Sequence, residues 1–273
     1  MRVSVIVPAY NEEESIGACL ESLGKQTHKD VEIIVVDDSS TDRTVEIAES
    51  MGAKVLKQDH RGPGLARNLG AEHATGEIVS FLDADMTFAP EFLECLVKPI
   101  EEGKAIGTSS REEFVANVDN VWARCWTINQ GLPRGRRHAL DFPDEDIVFR
   151  AILKDVFLSV GGYDDVGCSQ DHTISRKLGG KKALCAPGSV CYHRNPGSLR
   201  EVYQDARWYG KGEQIRRDFG FIIRRTLPFT IKNGIKRAYR NRTWQCMPFQ
   251  FAYDLGVLRG MLARAMSSKN HMK

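Results

Sequence analysis

Gly76-Glu77-Ile78-Val79-Ser80-Phe81-Leu82-Asp83-Ala84-Asp85 is the stretch on which the fold turns. Residues 78–82 form an apolar run too short for a helix, and it breaks off on two carboxylates two positions apart. That pattern predicts a buried strand with acidic groups at its carboxyl end. In an extended segment, residues two apart point the same way, so both carboxylates are expected to face one crevice. Earlier segments repeat the arrangement. Residues 3–7 are an apolar run ending at Pro8 and followed by Tyr10-Asn11-Glu12. Residues 31–36 form a β-branched run closed by Asp37-Asp38-Ser39-Ser40, and residues 54–57 read as a third strand.

Helical patterns separate these runs. Residues 15–23 place Ile16, Cys19, Leu20 and Leu23 on one side, Thr41 or Asp42 can cap a helix through Ser50, and residues 64–73 suit another. Alternating strands and helices predict an α/β fold with a mostly parallel, Rossmann-like sheet covered on both faces. In such sheets the ligand lies beyond the carboxyl ends of the strands, where the polar clusters here fall. Beyond residue 105 the pattern loosens. Helices are expected at 121–128, 154–160, 170–178 and 199–219, and short strands at 147–150, 182–184 and 190–192. Residues 131–142 are loop-like and basic, a candidate lid.

The 273 residues are 42% hydrophobic and 27% charged, which places the chain among ordinary globular proteins. A formal net charge of +2 hides an asymmetry. Residues 216–273 hold 13 Lys/Arg against Asp218 and Asp254, so the body is acidic and the tail basic. The tail therefore suits an anionic partner such as a phospholipid surface, and nothing points to nucleic acid. Its aromatic and aliphatic residues fit helices lying in a membrane interface and equally fit helices packed on the body. Seven scattered cysteines without a CxxC pair argue against a zinc or redox motif and for a reducing compartment. No apolar stretch approaches a membrane span, and the first residues enter a strand pattern rather than a leader. The expected location is cytoplasmic, with peripheral attachment to the inner face of the cell membrane left open.

Two carboxylates at a strand end suit the departure of a diphosphate. A divalent cation neutralises the charge that develops there, and hard cations such as Mn²⁺ or Mg²⁺ take carboxylate, phosphate and water oxygens. Two other nucleotide-handling classes fit worse. The loop after the first strand, Pro8-Ala9-Tyr10-Asn11-Glu12-Glu13, has neither the glycine-rich basic loop of a nucleotidyltransferase nor the GxGxxG of a dinucleotide oxidoreductase. A non-catalytic nucleotide-binding module would keep Asp38 but has no use for Asp85 and Asp171 together.

Taken in order, the segments 3–13, 35–42 (Val-Val-Asp-Asp-Ser-Ser-Thr-Asp), 64–68 (Gly-Leu-Ala-Arg-Asn) and 76–85 resemble glycosyltransferase family 2. The resemblance implies the GT-A fold and inverting transfer from a UDP- or GDP-linked sugar to a hydroxyl acceptor, a lipid-linked or cell-envelope glycan. It divides the chain into a donor region (1–110), an acceptor and catalytic-base region (111–215) and a basic helical tail (216–273). It assigns Pro8, Tyr10 and Glu12 to the nucleotide pocket, Asp38 to the base and Arg67 to closing that pocket. Asp83 falls near the ribose, and Asp85 becomes a ligand of Mn²⁺ or Mg²⁺. His193 resembles a histidine near the diphosphate or metal. Asp171, after Gly161-Gly162-Tyr163-Asp164, matches the aspartate that takes the acceptor's proton, with Gln170 where the family usually has Glu. Were the acceptor a polyprenyl phosphate, no base would be needed and Asp171 would only cap its helix. Gln204-Asp205-Ala206-Arg207-Trp208 matches QxxRW, which places Arg207 and Trp208 at the diphosphate and sugar. Trp208-Tyr209-Gly210 equally matches non-processive members, so processivity is not implied.

Overall fold

The computed structural model describes residues 1–165, 171–211 and 227–270. They fall into two compact units. One holds residues 1–114, 140–165 and 171–193, and the other holds residues 115–139, 194–211 and 227–270.

The first unit is built on β1 (Val3–Ala9), β2 (Val31–Asp37), β3 (Lys54–Lys57) and β4 (Ile78–Phe81). Between them run α1 (Ile16–Gly24), α2 (Thr44–Ser50) and α3 (Pro63–Glu72). β1 pairs in parallel with β2, Val3 opposite Val31, and with β4, Val3 opposite Ile78. Every residue of β1 is buried. Val3, Val5 and Val7 enter one core with Leu20 of α1, and Ile6 enters the other with Ala66 and Ala71 of α3. Burial on both faces is why β1 reads as a continuous apolar run rather than an alternating one. Each such Val or Ile contributes about 1.5–3 kcal/mol. Gly70 lets α3 lie unusually close, since a Cβ there would stand 2.4 Å from Ile6 Cγ2.

The sheet continues through β6 (Gly107–Ser109), β8 (Glu145–Asp146), β9 (Ala151–Leu153) and β10 (Ala183–Cys185), giving the order β3-β2-β1-β4-β9-β6-β10-β8. It is mostly parallel, but β9 runs antiparallel to both β4 and β6, and β8 antiparallel to β10. A smaller sheet of β5 (Met86–Phe88), β11 (Cys191–His193) and β7 (Glu113–Val115) sits in the order β5-β11-β7. α4 (Phe92–Glu101), α6 (Lys154–Ser159) and α7 (Asp171–Lys177) complete the unit.

Several expectations shift. The strand expected at 147–150 is instead two short strands, β8 and β9, on either side of that segment. Its apolar pattern came from core burial: Phe149 is 2% exposed and packs with Phe81 and Phe157. α2 begins at Thr44, because the Asp42 carboxylate turns back to accept from Thr44 N (3.0 Å) and Glu13 N (3.1 Å). α4 has no counterpart in the sequence reading, and it carries Pro99 within its span. A proline is an expected breaker, but α4 buries Phe92, Leu93, Leu96 and Val97, and that face outweighs it. Residues 131–142 contain no helix or strand element.

The second unit is helical: α5 (Val121–Gln130), α8 (Leu199–Gly210), α9 (Leu227–Asn241) and α10 (Cys246–Asn270). α5 is capped by Asn120 Oδ1, which accepts from Trp122 N and Ala123 N, and it ends on Gly131 at φ +73°. α8 is capped by Ser198, whose Oγ accepts from Glu201 N and donates to Glu201 Oε1. α8 and α10 meet through glycines. A Cβ at Gly210, Gly256 or Gly260 would lie 2.1–2.5 Å from a carbonyl oxygen of the facing helix. Trp126, Val202 and Phe249 fill the unit's core. The helix expected at 199–219 is seen as α8, and residues 212–226 lie outside those described. Among the described residues, no helix is long and apolar enough to cross a membrane.

Candidate active site at the strand ends

The loops after β1 and β2 are locked together. Asn11 and Ser39 both adopt positive φ (56° and 70°), a conformation costly for non-glycine residues and concentrated at functional sites. Asn11 N donates to Ser40 Oγ (2.9 Å), Thr41 N to Asn11 Oδ1 (2.8 Å), and Glu12 N to Thr44 Oγ1 (2.7 Å). Pro8 is buried at the end of β1. Tyr10 beyond it is 45% exposed and lies against His60, ring centroids 4.3 Å apart. Glu12 precedes α1, where its carboxylate accepts from Ser15 Oγ.

Asp38 is 3% exposed. Its carboxylate accepts from Gln58 Nε2 (2.6 Å), Arg61 N (2.8 Å) and Gly62 N (3.0 Å), and His60 Nδ1 lies 3.0 Å away. In this structure Asp38 therefore holds the loop that leads into α3. Neighbouring Asp37 accepts from Ser40 N (3.1 Å). The two carboxylates brace two different turns.

At the end of β4 the expected geometry fails. Asp83-Ala84-Asp85 is a turn, Met86 N donating to Asp83 O (3.2 Å), rather than an extended segment. The two carboxylates consequently take different partners. Asp83 receives Arg67 Nη2 on Oδ1 (2.7 Å) and Arg150 Nη1 on Oδ2 (3.0 Å). Burial pushes the Asp83 carboxyl up, but the charges of Arg67, Arg150 and His193 outweigh it and hold it well below the usual carboxylate range. Asp85 instead faces His193, whose Nε2 is 3.0 Å from Asp85 Oδ2. His193 Nδ1 lies 2.9 Å from Glu113 Oε1, and Arg150 Nη2 donates to Glu113 Oε2 (3.2 Å). Burial lowers the Arg150 pKa, but Glu113 and Asp83 raise it further.

The result is one connected row of charge: Arg67, Asp83, Arg150, Glu113, His193, Asp85. Such a row is stable only if its members are paired in sequence, because an orphaned buried ion costs about 3–5 kcal/mol. Cys19 lies beneath it, Sγ donating to Asp83 O (3.7 Å). Burial and then the negative charges of Asp85, Asp83 and Glu12 push its thiol far up, which places Glu12 in the same field as the two aspartates. Arg67 also sits over the Tyr163 ring, 5.6 Å from its centroid.

Arg67, Asp83, Asp85 and His193 are thus brought together, with Pro8, Tyr10, Glu12 and Asp38 on the adjoining strand ends. Two members of the row, Glu113 and Arg150, carry no motif that would have singled them out. Asp171 is the first residue of α7, but its side chain and Gln170 lie outside the described residues. Arg207 and Trp208 belong to the second unit, exposed on α8 beside Gln204.

Among the described residues, no three His, Cys, Asp or Glu side chains cluster as a metal cage. Asp85 and His193 offer one oxygen and one nitrogen, with Glu113 fixing the imidazole from behind. That donor set fits a cation drawing its remaining ligands from phosphate and water, and it does not fit a metal held by protein alone.

The family model described as glycosyl transferase family 2 matches residues 4–161. The chain belongs to this family. GlyA, a glycosyltransferase of Streptococcus pneumoniae, is 38% identical over 109 residues, covering 38% of this chain and 16% of GlyA. The glucosyl-dolichyl phosphate glucuronosyltransferase of Haloferax volcanii is 27% identical over 243 residues, or 83% of this chain and 74% of that protein. Curated relatives above 30% identity, GlyA among them, are spanned by the chain over 16% to 55% of their length. The mannosyltransferase PcManGT of Pyrobaculum calidifontis, solved with GDP-Man and Mn²⁺, superposes with a TM-score of 0.61 at 21% identity, over 94% of this chain and 87% of that one. It shares the GT-A fold.

Proposed function

We propose that this chain moves a sugar, with inversion, from a UDP- or GDP-linked donor to a hydroxyl of a lipid-linked or cell-envelope glycan. The observation that carries the reading is Asp85 paired with a His193 that Glu113 orients, beside an Asp83 held by two arginines, at the ends of parallel strands. Family membership and the GDP-Man and Mn²⁺ in the PcManGT structure support a nucleotide-sugar donor and a divalent cation. The Haloferax relative supports a lipid-linked acceptor.

In this reading Asp85 and His193 hold Mn²⁺ or Mg²⁺, which when bound neutralises charge on the departing diphosphate. Asp83, with both oxygens already paired, stays ionised and keeps lone pairs to accept from a ribose hydroxyl. Tyr10 supplies an aromatic face and Pro8 and Glu12 the wall of the nucleotide pocket. Asp38 recognises the base through the loop it holds, and Arg67 closes the pocket. Arg207 and Trp208 serve the diphosphate and the sugar. Asp171 takes the acceptor's proton, a role for which one carboxylate suffices. Residues 1–110 bind the donor, residues 111–215 the acceptor, and the basic tail meets an anionic membrane on its cytoplasmic side.

Calorimetric titration with UDP, GDP and TDP, with and without Mn²⁺, tests the donor half. Metal-dependent binding of UDP or GDP is expected, and no metal-dependent binding of any nucleotide would end the proposal.

A further inference from the structure

The second unit carries a basic groove built from residues other than Asp171, Arg207 and Trp208. α5, the loop after it and α9 enclose two adjoining cavities of about 290 and 390 Å³ that share Ile128, Leu132 and Asn241. The first has apolar walls from Val115, Val118 and Leu132 and carries Arg124 and Arg134. The second carries Lys236, Arg237 and Arg240. Among the described residues, no Asp or Glu lines either cavity. The Arg237 guanidinium is partly withdrawn from water, and its hydrogen bonds go to neutral oxygens of Gln250 and Asn129. Burial lowers its pKa, with the charge of Asp254 acting the other way. Five cations beside apolar walls, with the nearest carboxylate, Asp254, behind Gln250 rather than in the lining, suit an anion with a hydrocarbon portion.

The outer face of α9 continues the pattern. Thr230, Gly234 and Ala238 form its buried stripe. Ile231, Ile235 and Tyr239, four residues apart, form a solvent-exposed ridge on another side, with Tyr239 80% exposed. Lys232, Lys236 and Arg240 form a cationic row between this ridge and the cavities. Exposed aromatic and aliphatic groups beside Lys/Arg are the arrangement of a helix that lies in a lipid interface. There the apolar ridge enters the acyl boundary while the cations meet phosphates.

We infer that the groove between α5 and α9 binds the phosphate head group of an anionic phospholipid, with the Ile231–Ile235–Tyr239 ridge seated in the same bilayer. This rests on the membrane reading of the basic tail and gives it a defined site. The excess of 13 Lys/Arg over two Asp in residues 216–273 supplies the complementary field.

The test is vesicle co-flotation of the full chain with phosphatidylcholine alone and with added phosphatidylglycerol. Wild type should float only with the anionic vesicles. Arg134→Gln/Lys236→Gln/Arg240→Gln should weaken that binding roughly a hundredfold, from three charges near the surface. Arg200→Gln/Lys211→Gln/Arg259→Gln removes equal charge from exposed positions elsewhere in the unit and should weaken it by only about a few fold. Ile235→Glu/Tyr239→Glu should abolish flotation. All replaced side chains are solvent-exposed, and matching circular dichroism and melting curves establish that the variants fold. Equal losses in the two charge variants would overturn the groove while leaving the membrane reading intact. Failure of wild type to float with anionic vesicles would overturn both. Inorganic phosphate displacing the protein from vesicles at low millimolar concentration would overturn the lipid assignment in favour of a free phosphate site.

Discussion

Glu113→Gln separates two jobs that the charge row gives to one side chain. Glu113 is 5% exposed, accepts from Arg150 Nη2 at 3.2 Å and faces His193 Nδ1 at 2.9 Å. Glutamine keeps the size and one acceptor oxygen but removes the charge. Hydrogen bonds to charged groups contribute about 1.5–3 kcal/mol and neutral ones about 0.5–1.5, and because Arg150 stays charged the exchange should cost roughly 1–2 kcal/mol of stability. The larger loss of about 3–5 kcal/mol for an orphaned buried ion is not reached, because Arg150 keeps Asp83. If His193 is a ligand, Glu113 also orients its ring, and loss of such a partner typically lowers metal affinity about 10–100-fold. Urea unfolding measures the first effect. Calorimetric titration of Mn²⁺ in the presence of nucleoside diphosphate measures the second. The expected result is both together, with metal-free nucleotide binding unchanged. Mn²⁺ affinity within about twofold of wild type, alongside the stability loss, would show that Glu113 is only a counter-ion for Arg150 and that His193 does not hold the metal.

Asp171→Asn should leave donor binding intact and lower transfer by about 10²–10⁴, the usual contribution of a general base. Transfer at near wild-type rate would point instead to a phosphate acceptor that needs no base. Glu32 offers a test of the scaffold: its carboxylate accepts from Ser4 Oγ, Thr75 N, Thr75 Oγ1 and Gly76 N, tying β1 and β2 to the approach of β4. Burial raises its pKa, but those four donors bring it down to about 2. The folded value lies below the unfolded value of about 4.3, so its stabilisation is complete above about pH 5 and fades as pH falls toward 2. Glu32→Gln should cost roughly 1–3 kcal/mol at pH 7 and much less at pH 3, read from urea midpoints. A gap between wild type and variant that does not change with pH would refute the assignment.

Much of the first unit was legible in the sequence because its central strands are buried on both faces. Such strands must be short, apolar and β-branched, and the helices between them must present one apolar side. The small strands were harder. β8 and β9 are two or three residues long, and the buried Phe149 between them mimics a strand. α4 had no expected counterpart, and its Pro99 argues locally against a helix that its apolar face nonetheless stabilises.

The sequence by itself determined which strand ends carry Asp38, Asp83 and Asp85, since carboxylates that close an apolar run lie at the end of the strand that run forms. Only the tertiary structure decided what those carboxylates do to one another. The local turn at Asp83-Ala84-Asp85 sends one aspartate to Arg67 and Arg150 and the other to His193. Glu113 and Arg150, distant in sequence and without a motif, complete the row. Their partners come from the turn after β4, from β7, β11 and the segment before β9, and no local propensity records a pairing between charges so far apart along the chain. Asp83, just past the end of β4, is the clearest instance: its position follows from Ile78-Val79-Ser80-Phe81-Leu82, and its charge state from two arginines that the strand pattern does not contain.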